Sequence, residues 1–169
     1  KVGYAPVSWT ARLSTDGPGV EDPLSSGAGP TSRLVSSGPW GARLASPDDA
    51  LAIAMLDPSL AARRRAQGDV RFDRPRAVDA TFVGALAAHL ARPVGALDQC
   101  EIVVVDESNM VRASASLTVM SLDPPFVPAR RGLLGRFAVD PALDPRPLMA
   151  PMVRLGRRLA LLRGAAPLE

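Results

Sequence analysis

The sequence predicts an α+β fold in which an antiparallel sheet carries helices on one face. Three observations predict this fold. Residues 101–120 have the pattern of two strands joined by a polar turn, residues 46–68 contain helix start and stop signals, and residues 79–91 have the periodicity of an amphipathic helix. A chain of 169 residues with 47% hydrophobic residues is long enough to form a hydrophobic core.

The central hairpin is the clearest element of the sequence. Residues 102–105 are all β-branched, which favours a buried strand. Residues 106–109 (Asp-Glu-Ser-Asn) are typical of a tight turn. From residue 110 onward, apolar and polar side chains alternate, which predicts a second strand with one buried face.

Two helices are predicted within residues 46–68. Ser46 and Pro47 have the types expected at an N-cap and at the first helical position. We expect this helix to stop near Asp57-Pro58, where a second short helix opens and runs to Gln67-Gly68. Arginines 63–65 near that end indicate either a solvated helix end or an anion site.

The segment before the hairpin is predicted to contain a strand and a helix. Residues 70–73 alternate and predict a strand, and residues 93–97 predict a turn. Asp79 can cap the helix over 79–91, whose apolar residues fall on one face. His89 lies beside that face and is expected to be a surface or half-buried residue, not a general base.

The segment after the hairpin is predicted to be mostly irregular. Residues 123–128 predict a proline-rich crossover, and residues 130–137 predict a loop, either an ordinary turn or one whose glycines let the backbone approach a ligand. Residues 148–158 have helical spacing, and residues 159–162 are expected to form a final strand.

Composition divides the chain and excludes several functions. Residues 1–45 are rich in Gly, Pro and Ser and predict an N-terminal arm, a possible docking site for a protein partner, followed by an α+β domain over 46–169. A net charge of only +3 and an aromatic content of 4% argue against nucleic acid. One cysteine and one histidine argue against a metal site, and no apolar run is long enough for a membrane. These features predict a cytoplasmic protein.

Four segments in order resemble the chorismate pyruvate-lyase fold, which is shared with the UTRA-type ligand-binding domains of transcription regulators. They are LDPSLAARRRAQGDVRF, LAAHLARPVGALDQCEIVVVDESNMVRASASLTVM, RRGLLGRF and LGRRLALLRGAAPLE, within residues 46–169. The resemblance implies a cofactor-free lyase that removes pyruvate from chorismate to give 4-hydroxybenzoate, as in ubiquinone biosynthesis, or a protein that binds a small aromatic carboxylate.

The resemblance also implies candidate substrate-binding residues. Leu60 matches an apolar residue of the family's opening helix, and Leu134 and Gly135 match its closing loop. Cys100 stands where the family has its substrate-binding arginine, so Arg112 or Arg136 is the nearest substitute as a cationic anchor. No residue matches the family's glutamate, and no catalytic residue is predicted. A non-catalytic binding domain and an assembly protein therefore remain alternatives.

Overall fold

The computed structural model describes residues 35–69, 77–92, 99–121 and 130–166. Its strands are β1 (Val35–Ser37), β2 (Trp40–Leu44), β3 (Gln99–Val105), β4 (Val111–Ser121), β5 (Arg130–Val139) and β6 (Ala165–Ala166). Its α-helices are α1 (Ala50–Ala66), α2 (Ala80–Leu90) and α3 (Arg146–Leu162), and a 3₁₀ turn (Pro47–Asp49) precedes α1. The described strands form one sheet in sequence order, antiparallel except for the parallel pair β5 and β6.

Both faces of the sheet are covered. Successive side chains along a strand point to opposite faces, and each face packs in an apolar cluster. Ile102 and Val104 of β3 pack with α3 in the larger cluster. Val103 and Val105, which point the other way, pack with residues of α1 and α2. The predicted α+β class is confirmed, but the prediction of helices on one face is wrong. Neighbouring residues of one strand are all fully buried, which requires cover on both sides.

The central hairpin forms as predicted. β3 and β4 pair antiparallel around the turn, with Ile102 opposite Ala115. The Asp106 carboxylate accepts hydrogen bonds from the amides of Ser108 and Met110, and Asn109 adopts a positive φ of 61°. The local chemistry of the turn therefore sets the register of the two strands.

The 3₁₀ turn and α1 begin where the capping signals predict, but α1 does not stop at Pro58. It continues to Ala66 and ends before Gly68, whose φ is 80°. Burial of Leu56 and Leu60 favours continuation, and the Ser59 hydroxyl donates to the carbonyls of Leu56 and Val139. Packing thus outweighs the cost of about 3 kcal/mol that an internal proline carries. The two predicted helices are one.

A buried ion pair joins β2 to the start of α1. The Arg43 guanidinium donates to both carboxylate oxygens of Asp49, at 2.6 and 2.8 Å, and both residues are buried. Burial alone would raise the pKa of Asp49, but hydrogen bonds from Arg43 and Ser46 outweigh it and hold that pKa below its ordinary value. Asp49 is therefore a buried carboxylate that stays ionised.

Two predictions for the C-terminal part are wrong. The predicted loop at 130–137 is strand β5, and the predicted final strand at 159–162 is the last turn of α3. In α3, Leu148, Met152, Leu155 and Leu159 share one fully buried face, so the helical spacing extends through Leu159. The strand that ends the described chain is β6, after the turn at Gly164.

Several expectations fall outside the described part of the chain. These are the strand at 70–73, the turn at 93–97, the crossover at 123–128 and residues 1–34 of the arm. Residues 35–44 of that arm form β1 and β2, and Trp40 packs against the larger apolar cluster. None of the helices among the described residues is long and apolar enough to cross a membrane.

Close packing of β5 against α3 gives a first stability prediction. A Cβ added at Gly132 would lie 2.7 Å from the Ala160 Cβ, whereas one added at Gly135 would meet nothing within 4 Å. We expect Gly132→Ala to lower the free energy of unfolding by about 1–3 kcal/mol, because β5 and α3 must separate. Gly135→Ala is the matched control in the same strand and should be close to neutral. Urea unfolding of both variants measures the difference, and equal midpoints would contradict this account of the β5–α3 contact.

Candidate functional site

A row of polar residues crosses the middle of the sheet on the face of α1 and α2. Glu101 of β3 lies opposite Ser116 of β4, which lies opposite Gly135 of β5. The Ser116 hydroxyl donates a hydrogen bond to Glu101 Oε1. The row thus places a carboxylate on the same face of β3 as the buried apolar residues Val103 and Val105.

Glu101 is a buried acid without a direct cationic partner in the described part of the chain. It is 7% exposed. Burial raises the pKa of its carboxyl above the ordinary 4.5, and the Ser116 hydrogen bond and nearby Arg136 and His89 offset only part of that rise. A carboxylate whose pKa is raised is a stronger base than an ordinary glutamate, which suits it to accept and release a proton.

A β-bulge lies beside this carboxylate. The register of β4 and β5 shifts between Ser114 and Ser116, and Arg136 on the bulged strand has a positive φ of 51°. A bulge takes one residue out of the ladder and turns its side chain. The Arg136 side chain accordingly faces the helices. Its Nη2 donates a hydrogen bond to Asp57 Oδ1 of α1 at 3.2 Å, in a solvent-exposed contact. The non-glycine residue in the left-handed region marks a locally strained position at the site.

A cleft of about 550 Å³ opens between this row and α2. Its volume lies in the range of small-molecule sites. One wall is the apolar side of α2, with Phe82, Ala85 and Leu86, and the opposite wall carries Glu101 and Arg136. The other lining residues are Ala77, Asp79, Thr81, His89 and Gln99. The cleft therefore combines an apolar wall with acidic and basic groups.

A smaller recess of about 40 Å³ continues from the cleft towards α1. It is lined by Ile53, Leu60, Ser114 and Ala138, with Glu101 and Arg136 shared between the two spaces. The recess is large enough for one or two water molecules. Glu101 thus has a path to solvent through the cleft and a polar neighbour, Ser114, on the inner side.

Of the six residues named from the sequence, Arg136 lines both the cleft and the recess, and the other five lie in different places. Leu60 lines the recess, and Gly135 lies in the polar row next to the bulge. Cys100 and Leu134 are on the opposite face of the sheet, where burial raises the pKa of the Cys100 thiol and Arg163 lies 3.6 Å away. Arg112 is at the end of the hairpin and pairs with Asp106 and Asp140. The structure does not bring these five together.

The sequence analysis singled out neither Glu101 nor Ser116 as a site residue. One signal was available. A glutamate within the strand QCEIVVV interrupts an apolar run, and a buried charge is costly enough to need a reason. Its partner could not be found, because Ser116 is opposite only in the folded register. No group of His, Cys, Asp and Glu suited to a metal ion occurs among the described residues.

Comparison with known proteins identifies the fold. The chain superposes on a GCN5-related N-acetyltransferase from Ralstonia eutropha JMP134 with a TM-score of 0.51 and 21% identity, over 75% of this chain and 79% of that one. It superposes on glucosamine-6-phosphate N-acetyltransferase from Arabidopsis thaliana with a TM-score of 0.53 and 12% identity, over 75% and 77%. A transcriptional regulator from Bacillus halodurans C-125 gives 0.52 and 16%, over 75% and 77%. No protein-family model and no curated protein sequence matches.

The fold is therefore that of the GCN5-related N-acetyltransferases. The resemblance to chorismate pyruvate-lyase and to the UTRA-type domains is wrong, and so are the lyase activity and the place in ubiquinone biosynthesis. The short motifs were misleading because their residues form different secondary structures in the folded chain. The segment RRGLLGRF, expected to be a loop, is strand β5, and residues 159–162 within LGRRLALL, expected to be a strand, belong to helix α3. Nothing in these similarities favours a small aromatic carboxylate as ligand.

Proposed function

We propose that this protein is an N-acyltransferase that moves an acyl group from a thioester to an amine held in the cleft. The observation that carries the proposal is Glu101, a buried carboxylate with a raised pKa beside a bulge, on a sheet folded as in N-acetyltransferases. The likeness of fold supplies the reaction class and the cleft supplies the residues.

Glu101 acts as the general base in this proposal. An amine enters as its ammonium ion, which the carboxylate deprotonates, because only the neutral amine has a lone pair for attack. The nitrogen then attacks the thioester carbonyl carbon, the C–N bond forms and the C–S bond breaks. The leaving thiolate takes the second amine proton, and Glu101 releases the first to solvent. The products are an amide, a thiol and one proton.

The bulge at Arg136 supports the same assignment. It leaves backbone polar groups of β5 outside the regular ladder, next to the row that contains Glu101. A backbone amide in such a position can donate to the carbonyl oxygen as negative charge develops on it, which stabilises the transition state. The base on β3 and the candidate donor on β5 thus lie on either side of β4.

The lining of the cleft favours an amine with an apolar body. Phe82, Ala85 and Leu86 offer an apolar surface, and the carboxylates of Asp79 and Glu101 suit a cationic head. We expect arylalkyl monoamines such as phenethylamine to be better acceptors than small amines without an apolar part. Phe82→Ala should raise KM for phenethylamine by about tenfold with little change in kcat, because the lost contact is made equally in the ground and transition states.

The proposal is tested with the purified chain, acetyl thioesters and a panel of primary amines. Thiol release and the mass of the amide product are measured together, so that simple hydrolysis is distinguished from transfer. We expect amide formation that rises with pH as Glu101 ionises, above the ordinary value of 4.5 for a glutamic acid. No amide with any amine of the panel, at any pH from 5 to 9, would contradict the function.

A further inference from the structure

A diphosphate-bearing acyl donor needs a place for its negative charge, and the fold offers one predictable position. Coenzyme A is the common carrier of activated acyl groups, and its thioesters contain a diphosphate. In a parallel strand–helix–strand unit, anions bind beyond the carboxyl end of the first strand, at the N-terminus of the helix. Here that unit is β5, α3 and β6, and the position is the segment 140–149.

Proline removes backbone donors from this segment. Residues 141, 145 and 147 are prolines and have no N–H group, and Pro145 and Pro147 lie on either side of the first residue of α3. An N-terminal helix site binds anions through several adjacent amides that point at the ligand. Pro145 and Pro147 occupy two of the positions that would supply these amides, and neither has an N–H donor.

The remaining amides are already occupied. Arg146 N–H donates to Asp144 Oδ1 at 3.1 Å, and the amides of Leu148 and Met149 donate to the Pro145 carbonyl at 3.1 and 3.2 Å. In the preceding turn, the amides of Ala142 and Leu143 donate to Asp140. Asp140 itself donates to the Arg112 carbonyl. Every amide of the segment except that of Asp144 therefore has an acceptor within the chain.

The charge at this helix end opposes an anion as well. Asp144 lies directly before α3, and hydrogen bonds from Arg146 lower the pKa of its carboxyl, so it stays ionised. Arg146 is held by that carboxylate, with contacts of 3.0 to 3.1 Å. The charge of Arg146 is thus balanced by Asp144. The Asp144 carboxylate already lies at the positive end of the helix dipole, where an anion would otherwise be stabilised.

We propose that this chain recognises its acyl donor without a diphosphate at the N-terminus of α3, so that the nucleotide half of coenzyme A contributes little. The donor class is then a thioester recognised through its acyl and thiol-side groups, and short thioesters without a nucleotide serve as well as acetyl-coenzyme A. This proposal rests on the proposed acyl transfer for its kinetic test but not for its binding test.

The binding test uses calorimetry with 3′-phosphoadenosine 5′-diphosphate, the nucleotide half alone. For the unchanged chain we expect a Kd weaker than ~1 mM. Asp144→Gly with Pro147→Gly frees the Arg146 amide and restores the one missing at 147, and it should tighten binding at least about tenfold. Circular dichroism checks that α3 persists, and Pro147→Ala, which restores the amide while favouring the helix, is the second variant. Micromolar binding by the unchanged chain, or no gain in either folded variant, would overturn the proposal.

The kinetic test compares acetyl-coenzyme A with S-acetyl-N-acetylcysteamine, a thioester that lacks the nucleotide. We expect values of kcat/KM for the two donors within about tenfold of each other, because binding energy from the absent diphosphate contacts cannot favour the larger one. A preference above about a hundredfold for acetyl-coenzyme A would overturn the proposal. If neither donor yields amide, the proposed acyl transfer fails, and the calorimetric result alone decides whether this helix end excludes the diphosphate.

Discussion

Replacing Glu101 with glutamine is expected to reduce acyl transfer by about 10²–10⁴-fold, the range for loss of a positioned general base. The glutamine keeps the size of the side chain, and its carbonyl oxygen can still accept the Ser116 hydroxyl, so the shape of the cleft should not change. The loss should fall on kcat more than on KM, because deprotonation of the amine belongs to the reaction and not to its binding.

The same substitution is expected to stabilise the fold at neutral pH. The folded-state pKa of Glu101 is raised, so the folded protein is disfavoured once this group must ionise. Its stabilising contribution is fully present below the unfolded value of 4.5 and is lost as pH rises through the folded value. Glutamine stays neutral throughout. We therefore expect a gain of about 1–3 kcal/mol at pH 7, the cost of an incompletely compensated buried group, and no gain below pH 4.

Urea unfolding at the two pH values and initial rates of amide formation measure both effects. Glu107→Gln is the matched control, because Glu107 is an exposed glutamate in the hairpin turn. It should leave both the rate and the stability unchanged. Loss of activity together with loss of stability in Glu101→Gln would show a structural role for the carboxylate and contradict its assignment as the base.

Replacing Arg43 with methionine is expected to lower the free energy of unfolding by about 3–5 kcal/mol. The substitution leaves Asp49 buried with only the amide and hydroxyl of Ser46 as donors, at 2.7 and 2.9 Å. It also removes the ion pair that links β2 to the start of α1. Helix α1 positions Leu60 and Asp57 at the site. Reduced activity is expected to accompany the loss of stability.

The pH dependence distinguishes this mechanism from simple loss of packing. The folded-state pKa of Asp49 is lowered, so the pair's contribution is present above the unfolded value of 3.8 and is lost as pH falls through the folded value. In Arg43→Met the cost comes from an unpaired charge, which protonation removes. The difference in stability between the two proteins should therefore shrink in acid.

Arg112→Met is the control for this prediction. Arg112 pairs with Asp106 and Asp140, but its side chain is 35% exposed, and solvent-screened pairs of this kind contribute little to stability. A double substitution, Arg43→Met with Asp49→Leu, removes both charges and should recover much of the stability. Equal losses in Arg43→Met and Arg112→Met would contradict the importance of burial for the Arg43 pair.

Local sequence signals were sufficient to predict the elements whose stabilising hydrogen bonds lie within one short stretch of chain. The turn at 106–109 bonds its own backbone, Ser46 begins a helical segment, and Asp79 accepts from the Phe82 amide as a cap should. These interactions span four residues or fewer, so they survive in the folded protein whatever packs around them. The hairpin, the start of α1 and the whole of α2 were predictable for this reason.

Strand β5 and the end of α3 were not predictable, because tertiary contacts decided them. RRGLLGRF contains two glycines and resembles a loop, yet Gly132 is required where β5 meets Ala160, and Gly135 lies beside the bulge. Residues 159–162 are as compatible with a strand as with a helix. Burial of Leu159 with Leu155 on the same face of α3 made the helix the lower-energy choice.

The sequence by itself determined the α+β class, the register of the hairpin and the positions of the helix starts, since each depends on neighbours along the chain. Only the tertiary structure decided the site. Glu101, Ser116 and Arg136 are separated by 15 and 20 residues in the chain. They meet because strand pairing sets Glu101 opposite Ser116 and places the bulge at Arg136 next to them. The raised pKa of Glu101 comes from burial beneath α1 and α2, and burial is a property of the packed molecule and not of the residue type.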